Sequence, residues 1–210
     1  MINVPKVLVI DDFYLAPLEV RKLALSLEFK RPARTNYPGE RTGNLQDVAP
    51  DFYAMWVKKF MDIFGELNRK GEWTFSTQFQ RISTNIHDPE ANDGWVHSDP
   101  SEIIGGVVYL NPEPDPDSGT SIMCPKPGLL PQTNANLRFR NDFYGGRNGI
   151  TEEEFVRAKQ HNNSRYEVDI AVKNRFNRAM IFDCNQPHKQ TSFGKQNDYR
   201  LTQVFFANKV

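Results

Sequence analysis

Apolar residues recur along this chain with two different periods, and the change falls near residue 73. A short apolar run, Val7 to Ile10, leads into Asp11-Asp12 and then PLEVRKLALSLEF. There Leu18, Val20, Leu23, Leu25 and Leu27 recur at near-helical spacing, and Pro17 suits a first helical position. A second helix is expected in DFYAMWVKKFMDIFGEL, where Phe52, Met55, Trp56, Phe60, Ile63, Phe64 and Leu67 recur at three and four. From Trp73 the period drops to two: WTFSTQFQRIS sets Trp73, Phe75, Thr77 and Phe79 on one side. The dense run IIGGVVYLNP stops at the proline-rich loop NPEPDPDSG, and SIMC, YEVDIAVK, RAMIFDC and RLTQVFFA follow. Short strands bounded by Pro, Gly, Asn and Asp predict a mainly β domain, an antiparallel sandwich or jelly roll. The two leading helices, within about residues 14–70, would brace one outer face.

Residues 125–165 break this rhythm, being polar and rich in Asn, Arg and Gly. Thr151, three residues before Glu154, forms a capping box that starts a short helix through Lys159. An insertion of this length is either a functional flap or a mobile surface loop. Its aromatic and basic residues (Phe139, Arg140, Phe143, Tyr144, Arg147) are candidates for substrate contact.

Composition narrows the class. At 210 residues the chain has room for one well-buried domain, taken as 1–210, and 39% hydrophobic with 25% charged residues reads as globular. Formal net charge is zero and the arginines are dispersed, so nucleic acid and anionic membranes are not expected partners. The N-terminus MINVPKVLVIDDFY resembles no secretory leader, and no segment approaches the roughly 18 apolar residues of a membrane span. Two cysteines, Cys124 and Cys184, make no disulfide framework or four-thiolate zinc site; a cytoplasmic setting is expected.

The candidate chemistry begins at GWVHSDP. Residues two apart in a strand share a face, so His97 and Asp99 can converge on one point, and Pro100 keeps Asp99 extended. A His-x-Asp pair alone is a weak signal. His188, between a buried-looking strand and the last strand, supplies a second imidazole; His87 and His161 sit in polar segments and are expected to be solvated. Two imidazoles and a carboxylate suit a ferrous ion with open positions, and zinc accepts the same ligands. In the last strand Arg200, Thr202, Val204 and Phe206 share one face and Leu201, Gln203 and Phe205 the other. If the first set faces inward, a buried guanidinium requires an anion, and its planar fork suits a carboxylate. The strand pattern alone allows either orientation.

The order His97-x-Asp99, VVYLN (107–111), SGTSI (118–122), NRAMIFDCNQPH (177–188) and YRLTQVFF (199–206) resembles the iron(II)/2-oxoglutarate-dependent dioxygenases, in particular their prolyl-hydroxylase-like branch. The opening VIDDFYLAPLEVRKLAL resembles that branch's leading strand and helix. The resemblance implies a double-stranded β-helix core and iron ligands His97, Asp99 and His188. It also implies that Arg200 holds the distal carboxylate of 2-oxoglutarate with Tyr109 and Thr202. The implied reaction uses dioxygen, releases succinate and carbon dioxide, and hydroxylates an unidentified primary substrate, with ascorbate as an optional auxiliary. Two departures stand out: the His188-to-Arg200 interval is longer than usual for the branch, and Ser118-Gly119 replaces a Gly-Gly step. The alternative from another class is a jelly-roll module that binds a metal or an acidic ligand without turnover.

Overall fold

The computed structural model describes residues 5–32, 35–64, 72–83, 92–129, 134–194 and 199–209, with backbone only for 134–136. Nine strands and five helices are described: β1 (Val7–Ile10), α1 (Pro17–Ser26), β2 (Glu40–Arg41), α2 (Leu45–Val48), α3 (Pro50–Ile63), β3 (Trp73–Ser83), β4 (Ile104–Tyr109), β5 (Thr120–Pro125), α4 (Asn134–Tyr144), α5 (Glu152–Asn163), β6 (Tyr166–Val172), β7 (Ala179–Asp183), β8 (His188–Gln190) and β9 (Tyr199–Lys209).

The strands form a six-stranded sheet in the order β1-β7-β4-β9-β3-β2 and a three-stranded sheet in the order β6-β5-β8. All pairings are antiparallel. A further bridge pairs His97 with His188, so the segment carrying His97 runs beside β8. This is the expected jelly roll, with helices on one outer face.

The period-2 alternation explains how the large sheet is covered on both sides. Phe79, Ile104, Val108, Leu201 and Phe205 point outward and pack against Val20 and Ala24 of α1 and Trp56 and Phe60 of α3. The opposite face of the sheet, with Val107, Met180 and Phe182, meets Ile122, Ile170 and Val172 of the small sheet. Cutting Trp56 back to Ala would cost about 3–5 kcal/mol, since its side chain is fully buried.

The leading helices differ from the pattern in detail. Leu18 and Leu25, seven residues apart, both face out, as does Met55, while Leu23 and Leu27 turn inward. Segment 17–29 is apolar on more than one side, so periodicity could not choose the buried face. The expected helix end at Leu67 lies outside the described residues; α3 closes at Ile63. Strand β2 and helix α2 were not foreseen: each is under five residues, and the Asn44 side chain caps α2 by accepting from the Gln46 amide.

The insertion is a folded pair of helices. Thr151 and Glu154 form the expected capping box, and α5 runs past Lys159 to Asn163. Helix α4 packs back through Phe143, stacked on Phe155 with centroids 3.8 Å apart, and Trp95 joins Tyr144 and Phe155 in the same small core. Lys159, 1% exposed, pairs with Asp93 at 2.6 Å, tying α5 to the loop that leads to His97.

Candidate active site

His97 and His188 exchange two backbone hydrogen bonds, the amide of each donating to the carbonyl of the other at 3.0 and 2.8 Å. This bridge sets the two rings 4.5 Å apart, centroid to centroid. Asp99 is fixed by its own amide, which donates to the Cys184 carbonyl at 2.9 Å. Its Oδ2 lies 3.8 Å from Nε2 of His97 and 3.4 Å from Nε2 of His188. One ligand atom from each residue falls within 4.8 Å of the other two, a cluster able to hold a metal ion. Metal bonds of about 2.0–2.2 Å put adjacent ligand atoms about 3.0–3.6 Å apart, so the Asp99–His188 pair already fits and His97 would draw in slightly.

The tautomers also suit a metal. Nδ1 of His97 faces the Trp95 carbonyl at 2.8 Å, and Nδ1 of His188 faces the Gln186 carbonyl at 2.9 Å. Since a carbonyl only accepts, each Nδ1 carries the proton and each Nε2 presents a lone pair to the common centre. Burial, the Arg140 guanidinium and His188 hold His97 well below the usual imidazole pKa. For Asp99 burial acts upward, but His97, His188 and Arg140 outweigh it and keep the carboxyl well below the ordinary range. A neutral imidazole beside an ionised carboxylate is the protonation state metal binding requires.

Helix α5 positions this cluster from behind. Asn162 Nδ2 donates to the Val96 carbonyl at 3.0 Å, and Asn163 Oδ1 accepts from the Val96 amide at 2.9 Å. Asn163 Nδ2 also reaches the Gly94 carbonyl at 2.9 Å. Gly94 is required here, because a Cβ would lie 2.7 Å from the Gln190 amide nitrogen. Of the two histidines expected to be solvated, His161 is exposed on α5, and His87 lies outside the described residues.

Arg200 faces inward and is 2% exposed. Its Nε donates to the Ser118 carbonyl at 2.8 Å, and one terminal nitrogen lies 3.3 Å from the Thr120 hydroxyl. Tyr109 donates its hydroxyl proton to Thr120 at 2.9 Å, and the guanidinium carbon sits 5.3 Å from the Tyr109 ring centre. Thr202, directly across from Tyr109 in the register of β4 and β9, has a buried hydroxyl with no partner. An orphaned buried hydroxyl beside a buried cation fits the chemistry of a carboxylate, which would accept from both. The Ser118-Gly119 step is accommodated: Ser118 supplies the carbonyl that Arg200 uses. Gly119 passes so close to β6 that a Cβ would lie 1.9 Å from the Val172 carbonyl oxygen.

His97, Asp99 and His188 line one cavity of about 190 Å³ together with Thr120, Gly106, Val204 and Phe206. Arg140 from α4 and Arg41 from β2 line it too. Of the insertion residues expected to meet a substrate, Arg140 reaches this cavity. Phe143 and Tyr144 line a neighbouring one of about 460 Å³, and Arg147 is engaged by Asp142 at 3.0 Å. Thr120, Arg41, Asn162 and Asn163 were not foreseen. Thr120 lies within the SGTSI stretch and was recognisable there; the others sit far away in sequence from the residues they serve, with no motif around them.

A search of curated proteins finds no match. Solved structures do match along nearly the whole chain. HygX from Streptomyces hygroscopicus, solved with nickel and 2-oxoglutarate, is 13% identical with a TM-score of 0.59, over 98% of this chain and 83% of that one. A prolyl-4-hydroxylase from Pseudomonas putida is 16% identical with a TM-score of 0.51, over 98% and 93%. A 2-oxoglutarate/iron(II) oxygenase-family oxidoreductase from Burkholderia pseudomallei is 12% identical with a TM-score of 0.55, over 97% and 84%. The fold is thus that of the 2-oxoglutarate/iron(II) oxygenases, prolyl hydroxylases among them, as the motif order led us to expect. The match to a family model spanning residues 3–191 shows that the chain belongs to DUF6445, a family of unknown function.

Proposed function

We propose that this protein is an iron(II)- and 2-oxoglutarate-dependent dioxygenase that hydroxylates a primary substrate. The observation that carries the reading is a pair of devices joined through Thr120, which lines the cavity of the first and hydrogen-bonds to Tyr109 and Arg200 of the second. One is a cluster of two lone-pair-bearing imidazoles and a carboxylate; the other is a buried guanidinium flanked by an unpartnered hydroxyl. His97, Asp99 and His188 would hold the metal, and a facial set of three ligands leaves open positions. Arg200 would take the distal carboxylate of 2-oxoglutarate, with Thr202 and Tyr109 completing its hydrogen bonds. When bound, the ferrous ion supplies oxygen activation coupled to decarboxylation of 2-oxoglutarate to succinate and carbon dioxide.

The chain's own contribution is orientation and exclusion of water. The Trp95 and Gln186 carbonyls hold the ring planes, and the Cys184 carbonyl holds Asp99. Thr120 bridges Tyr109 and Arg200, so the co-substrate arm is organised before any anion arrives. No described helix is long and apolar enough to cross a membrane, and both cysteines are free, which fits a reducing, cytoplasmic setting.

The test is incubation with ferrous iron, 2-oxoglutarate and ascorbate, reading succinate by mass spectrometry. The absorption band of the anaerobic iron–2-oxoglutarate complex is read beside it. A 2-oxoglutarate-dependent band that His97→Ala abolishes is expected. A protein that forms the band and never releases succinate with any substrate would instead be a binding module. Absence of the band in the wild-type protein refutes the proposal.

A further inference from the structure

Two guanidiniums at the candidate metal centre have no anionic partner within ion-pair distance among the described residues. Arg140 is 7% exposed, yet its Nε has no hydrogen-bond partner, and its described hydrogen bond is a 3.2 Å contact to the side chain of its neighbour Asn141. Arg41 likewise has a buried, unpartnered Nε. Its remaining contacts are a 3.4 Å contact to Gln78 and a stack over the Tyr37 ring at 3.8 Å. Among the described residues no carboxylate lies within ion-pair distance of either. Burial lowers the pKa of both, Arg41 to about 10; the Arg140 charge adds to the lowering at Arg41, while Asp99 pulls the other way at each. Two like charges facing one small cavity is a costly arrangement unless an anion completes it.

The neighbouring acids do not complete it. Asp99 turns its Oδ2 to the two imidazoles, and Glu102, also on the cavity wall, accepts from the Asn208 amide. Nor does the co-substrate arm account for them, because Arg200 has its own cradle at Ser118 and Thr120. A divalent metal, Asp99, a 2-oxoglutarate dianion and Arg200 together are neutral in formal charge; Arg41 and Arg140, set against Glu102 on the same wall, leave a net positive charge over.

We propose that the primary substrate is an acid whose carboxylate or phosphate is clamped between Arg41 and Arg140. A planar fork on each side suits either oxyanion, and stacking on Tyr37 orients one of the forks. Pro38 borders both this cavity and the 460 Å³ one, whose walls include Phe143, Tyr144, Phe155 and Phe193. The body of the acid lies there, against aromatic surface. Calling this acid the substrate rests on the oxygenase reading; the anion clamp itself does not.

Calorimetric titration of the Mn(II)- and 2-oxoglutarate-loaded protein tests the clamp. The probes are phenylacetate and 4-methylpentanoate, their amides, and phenyl phosphate, each taken to millimolar concentration. At least one acid is expected to bind, with its neutral counterpart weaker by about tenfold or more. The carboxylate and phosphate arms tell which oxyanion is preferred. Arg140→Gln and Arg41→Gln should each weaken the acid about tenfold or more, well beyond any change in 2-oxoglutarate affinity, and Arg140→Lys should recover part of the loss. Amides that bind as well as acids, or no acid bound by the wild-type protein, overturn the clamp. So does a loss of 2-oxoglutarate affinity in the Gln variants as large as the loss of acid, which would give these arginines to the co-substrate. Arg140-dependent acid binding by a protein that takes up no 2-oxoglutarate would keep the clamp and remove the oxygenase reading.

Discussion

Replacing Arg200 with Met separates binding from folding at the co-substrate arm. Of the five N–H donors of a guanidinium, Arg200 directs one to the Ser118 carbonyl and one to the Thr120 hydroxyl, and the Tyr109 hydroxyl is also within its reach. Among the described residues that leaves at least two for a carboxylate, enough for a bidentate pair. Removing one side of such a buried pair costs about 2–5 kcal/mol, or roughly 30-fold to several thousandfold in Kd for 2-oxoglutarate. The unliganded protein should hardly notice. Met fills a similar volume, and the two lost hydrogen bonds, about 1 kcal/mol each, are offset by no longer burying a charge without a counterion. The assay is thermal melting with Mn(II), with and without 2-oxoglutarate at about 100 times the wild-type Kd. There the wild-type protein gains about 2.7 kcal/mol, and the variant should gain less than about 1 kcal/mol. For a domain of this size each kcal/mol moves Tm by about 2–4 °C, so the difference is easily read. An Arg200→Met protein that keeps the full 2-oxoglutarate-induced shift would refute the assignment of this residue.

Thr202→Val removes a hydroxyl that is buried and unpartnered, so the unliganded protein should be as stable or more stable by up to about 1 kcal/mol, measured by urea denaturation, while 2-oxoglutarate binds more weakly. Asn162→Ala breaks the bond to the Val96 carbonyl and loosens the segment carrying His97; metal affinity, read by competition with a chelating dye, should fall about 10–100-fold. In metal-free protein the depressed His97 pKa makes stability pH-dependent. The unfolded chain binds the proton more readily, so this contribution is complete above about pH 6.5 and is lost as pH falls toward the folded value. Urea midpoints at pH 7.5 and 5.5 should therefore differ, and His97→Gln should narrow the difference. Equal slopes in the two proteins would count against it.

Much of the site was legible because it rests on local rules. His97 and Asp99 share a face by strand periodicity, and Thr202 and Arg200 share one for the same reason. The Thr151–Glu154 capping box lies within four residues and was found intact. What was not legible depends on long-range packing. The pattern of β9 is amphipathic in a misleading way: Leu201 and Phe205 pack under the helices while the charged Arg200 is also buried, so hydrophobicity could not rank its two faces. The insertion reads as polar because Lys159, Asn162 and Asn163 are polar. Each is nonetheless engaged with the loop before His97, a role visible only once the chain has closed.

The sequence by itself determined most of the elements, the jelly-roll class and the roster of metal and co-substrate candidates, since these follow from side-chain period, turn chemistry and motif order over short spans. The tertiary structure alone decided that Arg200 points inward, that α5 anchors the His97 strand, and that Arg41 and Arg140, 99 positions apart in the chain, face one cavity. Those facts arise from sheet register and helix docking, where contacts between distant residues set a side chain's surroundings and the local pattern carries no record of them.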